Sequence, residues 1–289
     1  MMRVVTDFID FELIDASDGE RLERWKDIIL IRPDPQVMWH GERKNPLWKN
    51  AHAKYHRSNS GGGYWENLKS VPKVWSVDFR DLTFRLKPMD FKHTGLFPEQ
   101  AVNWDLMSDC IKNAGRPLKV LNLFAYTGGA TVACLKAGAS VTHVDASKGM
   151  VQWAKENAVA SGVGDQPVRW LVDDCLKFIA REIRRGNKYD GIVMDPPSYG
   201  RGPNGEVWKI EQQLQELLYL SSQILSDDAV FFLLNSYSGG ISQTILNYMV
   251  KNIVVGKRKG EVTTTEIGLK ITERDIALPC GNTTVWTAK

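Results

Sequence analysis

Paired cysteines are what this chain most plainly lacks. Its four, Cys110, Cys134, Cys175 and Cys280, are scattered and show no metal-ligand spacing, which argues against structural zinc and fits a reducing cytoplasm. Long apolar runs are absent too, so the sequence offers no membrane span, and Met1–Asp18 is too acidic for a signal peptide. Charge of one sign is scarce: a net charge of +3 does not by itself identify a nucleic-acid binder. What is present, 43% hydrophobic and 25% charged residues, is ordinary for a globular protein. The length, 289 residues, suits one large domain or a domain with a smaller companion.

Residues 1–89 lack helical periodicity. They predict a small β-rich region with strand-like stretches at Phe8–Ile14, Lys26–Ile31, Val74–Phe79 and Leu82–Leu86. In its middle crowd Trp39, His40, Arg43, Lys44, Trp48, Lys49, His52, Lys54, Tyr55, His56, Arg57, Tyr64 and Trp65. Interleaved cations and rings suit a nucleic-acid surface, where cations meet phosphates and rings stack on unpaired bases. They equally suit a tryptophan-rich β core beneath a solvated basic loop.

Residues 90–289 alternate helix and strand instead. Strands are predicted at Lys119–Phe124, Ser140–Val144, Val168–Val172, Gly191–Met194 and Ala229–Leu234, with amphipathic helices between them. Val262–Leu269 and Thr283–Thr287 then read as strands with no helix between them. The expectation is an α/β fold: a doubly wound, mostly parallel, Rossmann-like sheet ending in an antiparallel hairpin.

Candidate site residues fall at the ends of successive strands, where ligands of open α/β sheets bind. The first strand turns through Phe124, Ala125, Tyr126, Thr127 and Gly128. A dinucleotide fingerprint is missing, because Phe124 and Tyr126 stand where early glycines would let a pyrophosphate approach. A ligand with an uncharged linker and an amino-acid tail fits better. The second strand ends at Asp145, placed to accept from ribose hydroxyls. The third ends at Asp173-Asp174; Asp174 can accept from an adenine amino group, while Asp173 reads better as a helix cap. The fourth stops at Asp195-Pro196-Pro197-Ser198-Tyr199. Two prolines cannot continue a central strand, so the chain leaves the sheet as a stiff loop bearing a carboxylate and bare carbonyls. A glycine-rich stretch, Tyr199–Trp208, follows as a mobile flap from which Arg201 and Trp208 can contact substrate.

With these motifs assembled, the chain resembles class I S-adenosylmethionine-dependent methyltransferases, in the branch related to bacterial large-subunit ribosomal RNA methyltransferases. The resemblance rests on Leu-Asn-Leu-Phe-Ala-Tyr-Thr-Gly-Gly at 121–129 and Lys-His-Thr-Gly-Leu-Phe-Pro-Glu-Gln at 92–100. It implies S-adenosyl-L-methionine as cofactor, held by Phe124 to Gly128, by Asp145, Ala146 and Ser147, and by Asp174 and Cys175. Thr94, Phe97 and Gln100 would close the near side, with Asp195, Pro196, Pro197 and Tyr199 facing the methyl group. It implies in-line transfer to a base nitrogen of RNA, ribosomal RNA in particular, with no metal and no membrane. A metabolite or protein acceptor, or cofactor binding without catalysis, are the alternatives. The cysteine that carbon-methylating relatives use after the fifth strand is missing from Leu234–Gly240, and Cys280, expected in the final hairpin turn, is its only substitute.

Overall fold

A computed structural model describes residues 2–58, 62–89, 91–201, 207–237 and 240–289, apart from the Arg201 side chain. In chain order the early strands are β1 (Arg3–Val5), β2 (Phe11–Ser17), β3 (Glu20–Trp25), β4 (Ile28–Pro33), β5 (Ala53–Arg57), β6 (Gly63–Asn67), β7 (Trp75–Phe79) and β8 (Leu82–Leu86). The alternating part follows with α1 (Ala101–Asn113), β9 (Lys119–Leu123), α2 (Gly129–Lys136), β10 (Ser140–Asp145), α3 (Lys148–Ala160), β11 (Val168–Val172), α4 (Cys175–Arg185) and β12 (Gly191–Met194). Then come β13 (Tyr199–Arg201), β14 (Val207–Lys209), α5 (Ile210–Ile224), β15 (Phe231–Ser236), α6 (Gln243–Met249), β16 (Glu261–Lys270) and β17 (Ala277–Thr287).

The chain divides into two compact units. One comprises Met1–Arg3, Val102–Ile267 and Gly281–Lys289; the other comprises Val4–Ala101 and Gly268–Cys280. By packing the division falls at Ala101/Val102, and the tip of the last hairpin groups with the smaller unit. Its reason is local pairing. Thr272 and Glu273 donate backbone N–H groups to the carbonyls of Leu13 and Ile14, and the Arg274 guanidinium meets the buried Asp15 carboxylate at 2.6 Å.

In the smaller unit β2 to β6 form a sheet in chain order, and β7 pairs with β8. Arg32 grips Glu23 with two nitrogens, at 2.7 and 2.9 Å. Burial alone would raise the Glu23 carboxyl, but Arg21 and Arg32 outweigh it and hold it down to about 2.

The large sheet runs β1-β16-β17-β15-β12-β9-β10-β11. The strands from β15 to β11 are parallel, and β17 pairs antiparallel with β15. Central strands read as apolar because both faces are covered; all four residues of β12 are buried. The core between sheet and helices includes Leu121, Leu123, Val144, Ile192, Met194, Phe232 and Leu234. From β9 the chain moves to β10 and β11 on one side, then returns to β12 on the other. The crevice between the ends of β9 and β12 is therefore the topological switch point.

Candidate active site

The first wall of this crevice is the turn after β9. Phe124 and Tyr126 have φ of 53° and 50°, the left-handed region that glycine normally occupies, so two aromatic residues hold the conformation and each costs about 1–2 kcal/mol. Three hydrogen bonds fix them there. The Phe124 N–H donates to Cys175 Sγ at 3.4 Å, the Ala125 N–H donates to the Val144 carbonyl, and the Tyr126 N–H donates to Asp145 Oδ2 at 2.8 Å. Gly128 caps α2 at φ 83° with no side-chain cap bond. A β-carbon there would stand 2.8 Å from that of Ala154, so only glycine fits.

Asp145 does more than await a ribose. Its Oδ1 accepts the Ser147 N–H at 2.8 Å while Oδ2 holds Tyr126, so one carboxylate ties two loops together. Burial raises this carboxyl, and the two backbone donors oppose the shift. Ser147 caps α3 as expected, and Ala146 beside it is exposed.

At the end of β11 the helix cap falls one residue later than expected. Asp174, not Asp173, caps α4, accepting the Lys177 N–H at 2.9 Å. Asp173 is held by Arg181 and by the Asp174 N–H. A cap uses one carboxylate oxygen, so the bond does not conflict with a second donor from a ligand.

The second wall is the loop after β12. Pro196 is buried, and Pro197, Ser198 and Tyr199 are exposed. Asp195 Oδ1 accepts from Asn235 Nδ2 at 3.0 Å. The flap is an ordered hairpin at its base, β13 pairing with β14; residues 202–206 and the Arg201 side chain lie outside the described residues. Trp208 is turned inward. Its indole donates to the Pro197 carbonyl at 2.5 Å, and its ring lies 5.1 Å from that of Phe124. Local pattern does not reveal this clamp, because its partners are eleven and eighty-four positions away from Trp208.

Thr94, Phe97 and Gln100 belong to the smaller unit. Thr94 is buried, and Phe97 packs its ring 5.2 Å from His93. Cys280 lies within β17, not in a turn, and burial pushes its thiol well above the ordinary range. That weighs against it as a thiolate nucleophile at neutral pH. Much of the aromatic-cationic cluster is spent internally. Arg43 covers the Trp48 ring at 4.1 Å and pairs with Glu20; Lys54 pairs with Glu20 and His56 with Glu66; Trp48 and Tyr55 are buried. His40, Lys44, Lys49, Arg57 and Tyr64 remain exposed.

The donor set fits an adenosyl ligand carrying a cation. Asp145 and Asp174 are acceptors of the kind hydroxyl and amino groups need, and three carboxylates at neighbouring strand ends, Asp145, Asp174 and Asp195, disfavour a pyrophosphate and favour positive charge. Among the described residues no group of three His, Cys, Asp or Glu side chains is arranged to hold a metal ion, and no helix is long and apolar enough to cross a membrane.

Comparison with known proteins supports the same ligand. Residues 51–231 match the family model described as S-adenosylmethionine-dependent methyltransferase. A solved S-adenosylmethionine-dependent methyltransferase from Agrobacterium tumefaciens is 35% identical, with a TM-score of 0.95, over 100% of this chain and 94% of that one. The ribosomal RNA large subunit methyltransferase K/L of Pseudoalteromonas atlantica is 33% identical over 167 residues, 57% of this chain and 23% of its own length. Its counterpart from Shewanella amazonensis is 38% identical over 125 residues, 43% of this chain and 17% of its own. The chain thus spans less than a quarter of the curated relatives' length.

Proposed function

We propose, from the premise that the chain belongs to the S-adenosylmethionine-dependent methyltransferase family, that it methylates a nitrogen of a base in RNA. Asp195 carries the reading: a carboxylate on a proline-stiffened loop, at the switch point, across from the cofactor turn. When bound, S-adenosylmethionine supplies a methyl group on a sulfonium that is already a good leaving group, so alignment provides most of the rate effect. Asp195 and the Pro196 carbonyl accept the protons of the incoming amine and aim its lone pair. Phe124, Ala125, Tyr126, Thr127 and Gly128 wrap the methionine part, Asp145 with Ala146 and Ser147 takes the ribose, and Asp174 with Cys175 takes the adenine. Pro197 and exposed Tyr199 offer faces on which a flipped-out base can rest.

The RNA acceptor draws its support from the ribosomal RNA methyltransferases that the chain matches in part. The internal pairing of the basic cluster favours a second reading, a metabolite or protein acceptor. Incubation with labelled S-adenosylmethionine and separate RNA, protein and metabolite fractions decides between them. Label is expected in RNA, on a nitrogen after digestion to nucleosides; label confined to another fraction overturns the RNA acceptor. Asp195→Ala should keep affinity for the uncharged-linker S-adenosylhomocysteine and lose at least about a hundredfold in transfer.

A further inference from the structure

Asp195 stands at one end of a line of polar side chains that crosses the large sheet. Asn235 Nδ2 donates to Asp195 Oδ1 at 3.0 Å. Thr283 Oγ1 donates to Asn235 Oδ1 at 2.9 Å. Asn103 Nδ2 donates to Thr283 Oγ1 at 3.0 Å, and Arg3 Nη2 donates to Asn103 Oδ1 at 2.6 Å. Asn103, Asn235 and Thr283 are all essentially inaccessible to solvent. Strand register builds the line: Asn235 lies opposite Thr283 in the β15–β17 pairing, and Met194 lies opposite Leu234 in the β12–β15 pairing, which brings the next residues, Asp195 and Asn235, side by side.

The direction of every bond is chemically forced. A guanidinium can only donate and a carboxylate can only accept. With Arg3 at one end and Asp195 at the other, each amide between them must turn its oxygen toward Arg3 and its nitrogen toward Asp195. Bonds aligned this way polarise one another. A line that merely glued strands together would not need a cation at its far end or an anion in the crevice.

We propose that Arg3, Asn103, Thr283 and Asn235 form a positioning relay that fixes the Asp195 carboxylate toward the methyl group being transferred. The inference rests on the reading of Asp195 given above. Two probes separate it from a structural role: S-adenosylhomocysteine, and sinefungin, whose amine stands where the methyl sulfonium would be. A correctly aimed Asp195 makes the protein prefer sinefungin. Calorimetric titration should show that Thr283→Val, which keeps shape and removes the hydroxyl, loses about tenfold of that preference while affinity for S-adenosylhomocysteine stays within about twofold. Thr283→Ser should restore the preference, and Arg3→Gln should weaken it in the same sense. An unchanged affinity ratio in Thr283→Val, alongside a ratio abolished by Asp195→Ala, overturns the relay alone. No preference in the wild type, or a ratio that survives Asp195→Ala, overturns the Asp195 reading and the relay with it. Should Thr283→Val fail to fold, Arg3→Gln on its half-exposed side chain decides, and an unchanged ratio there overturns the proposal.

Discussion

At the scale of single residues, Gly128 and His143 carry consequences that the site's geometry fixes in advance. Gly128→Ala places a β-carbon 2.8 Å from Ala154 in a left-handed backbone. It is expected to cost about 1–2 kcal/mol of stability and to weaken cofactor binding, checked by thermal melting and calorimetry. His143 is fully buried beneath the same turn; its Nδ1 meets the Thr131 hydroxyl at 2.9 Å, and its Nε2 has no hydrogen-bond partner among the described residues. Burial drops its pKa from 6.5 to about 3. The folded state thus binds fewer protons than the unfolded one between those values, so stability is complete above pH 6.5 and falls as pH drops toward 3. His93 in the smaller unit, also held to about 3 by burial and by Arg32, acts in the same sense. Each removes about 1.4 kcal/mol per pH unit. Chemical denaturation between pH 6.5 and 4 should give a shallower pH slope for His143→Gln than for the wild type; parallel slopes would refute the assignment. Residues of this kind divide by how far their cause reaches. Asp195-Pro-Pro was legible because proline's effect is local, whereas the fall of the helix cap on Asp174 instead of Asp173 goes with Arg181, which holds Asp173, a partner that a strand-end pattern does not reveal.

At the scale of elements, the flap is the instructive case. Its glycines suggested a mobile loop, yet Trp208 pins its base to Pro197 and Phe124. Trp208→Phe retains a ring against Phe124 and loses the donor to the Pro197 carbonyl. We expect kcat to fall several-fold with little change in cofactor affinity, whereas Trp208→Ala should impair both; equal effects of the two would show that the indole N–H plays no part. Elements with strong local periodicity were readable to within a residue or two, β11 and β12 to the residue. β3, β5 and β6 were not, because charged residues such as Glu20, Arg21, Glu23 and Arg24 on β3 mask the alternation, and their partners lie across the sheet. α6 runs into a π-helical turn, Val250–Val255, an irregularity no propensity scale encodes.

For the molecule as a whole, the alternation of strand and helix gave the doubly wound sheet and its antiparallel finish, while the partition into units was hidden. It depends on Gly268–Cys280 returning to residues near position 14, a pairing between segments about 250 positions apart in sequence. The smaller unit therefore cannot be removed by one cut. Deletion of residues 1–101 leaves Gly268–Cys280 without its partners and Arg274 without Asp15, and is expected to yield aggregated protein by size-exclusion chromatography; a monodisperse, cofactor-binding fragment would contradict this.

The line from Arg3 to Asp195 also sets an order of events during synthesis. Arg3 bonds Thr265, 262 positions later, and Asn103 bonds Thr283, 180 positions later. Earlier parts of the cofactor crevice can fold while the chain is still emerging, but the line from Arg3 to Asp195 is complete only once Thr283 has been translated and β17 has docked. On the relay proposed above, a nascent chain can take up its methyl donor before its carboxylate is aimed.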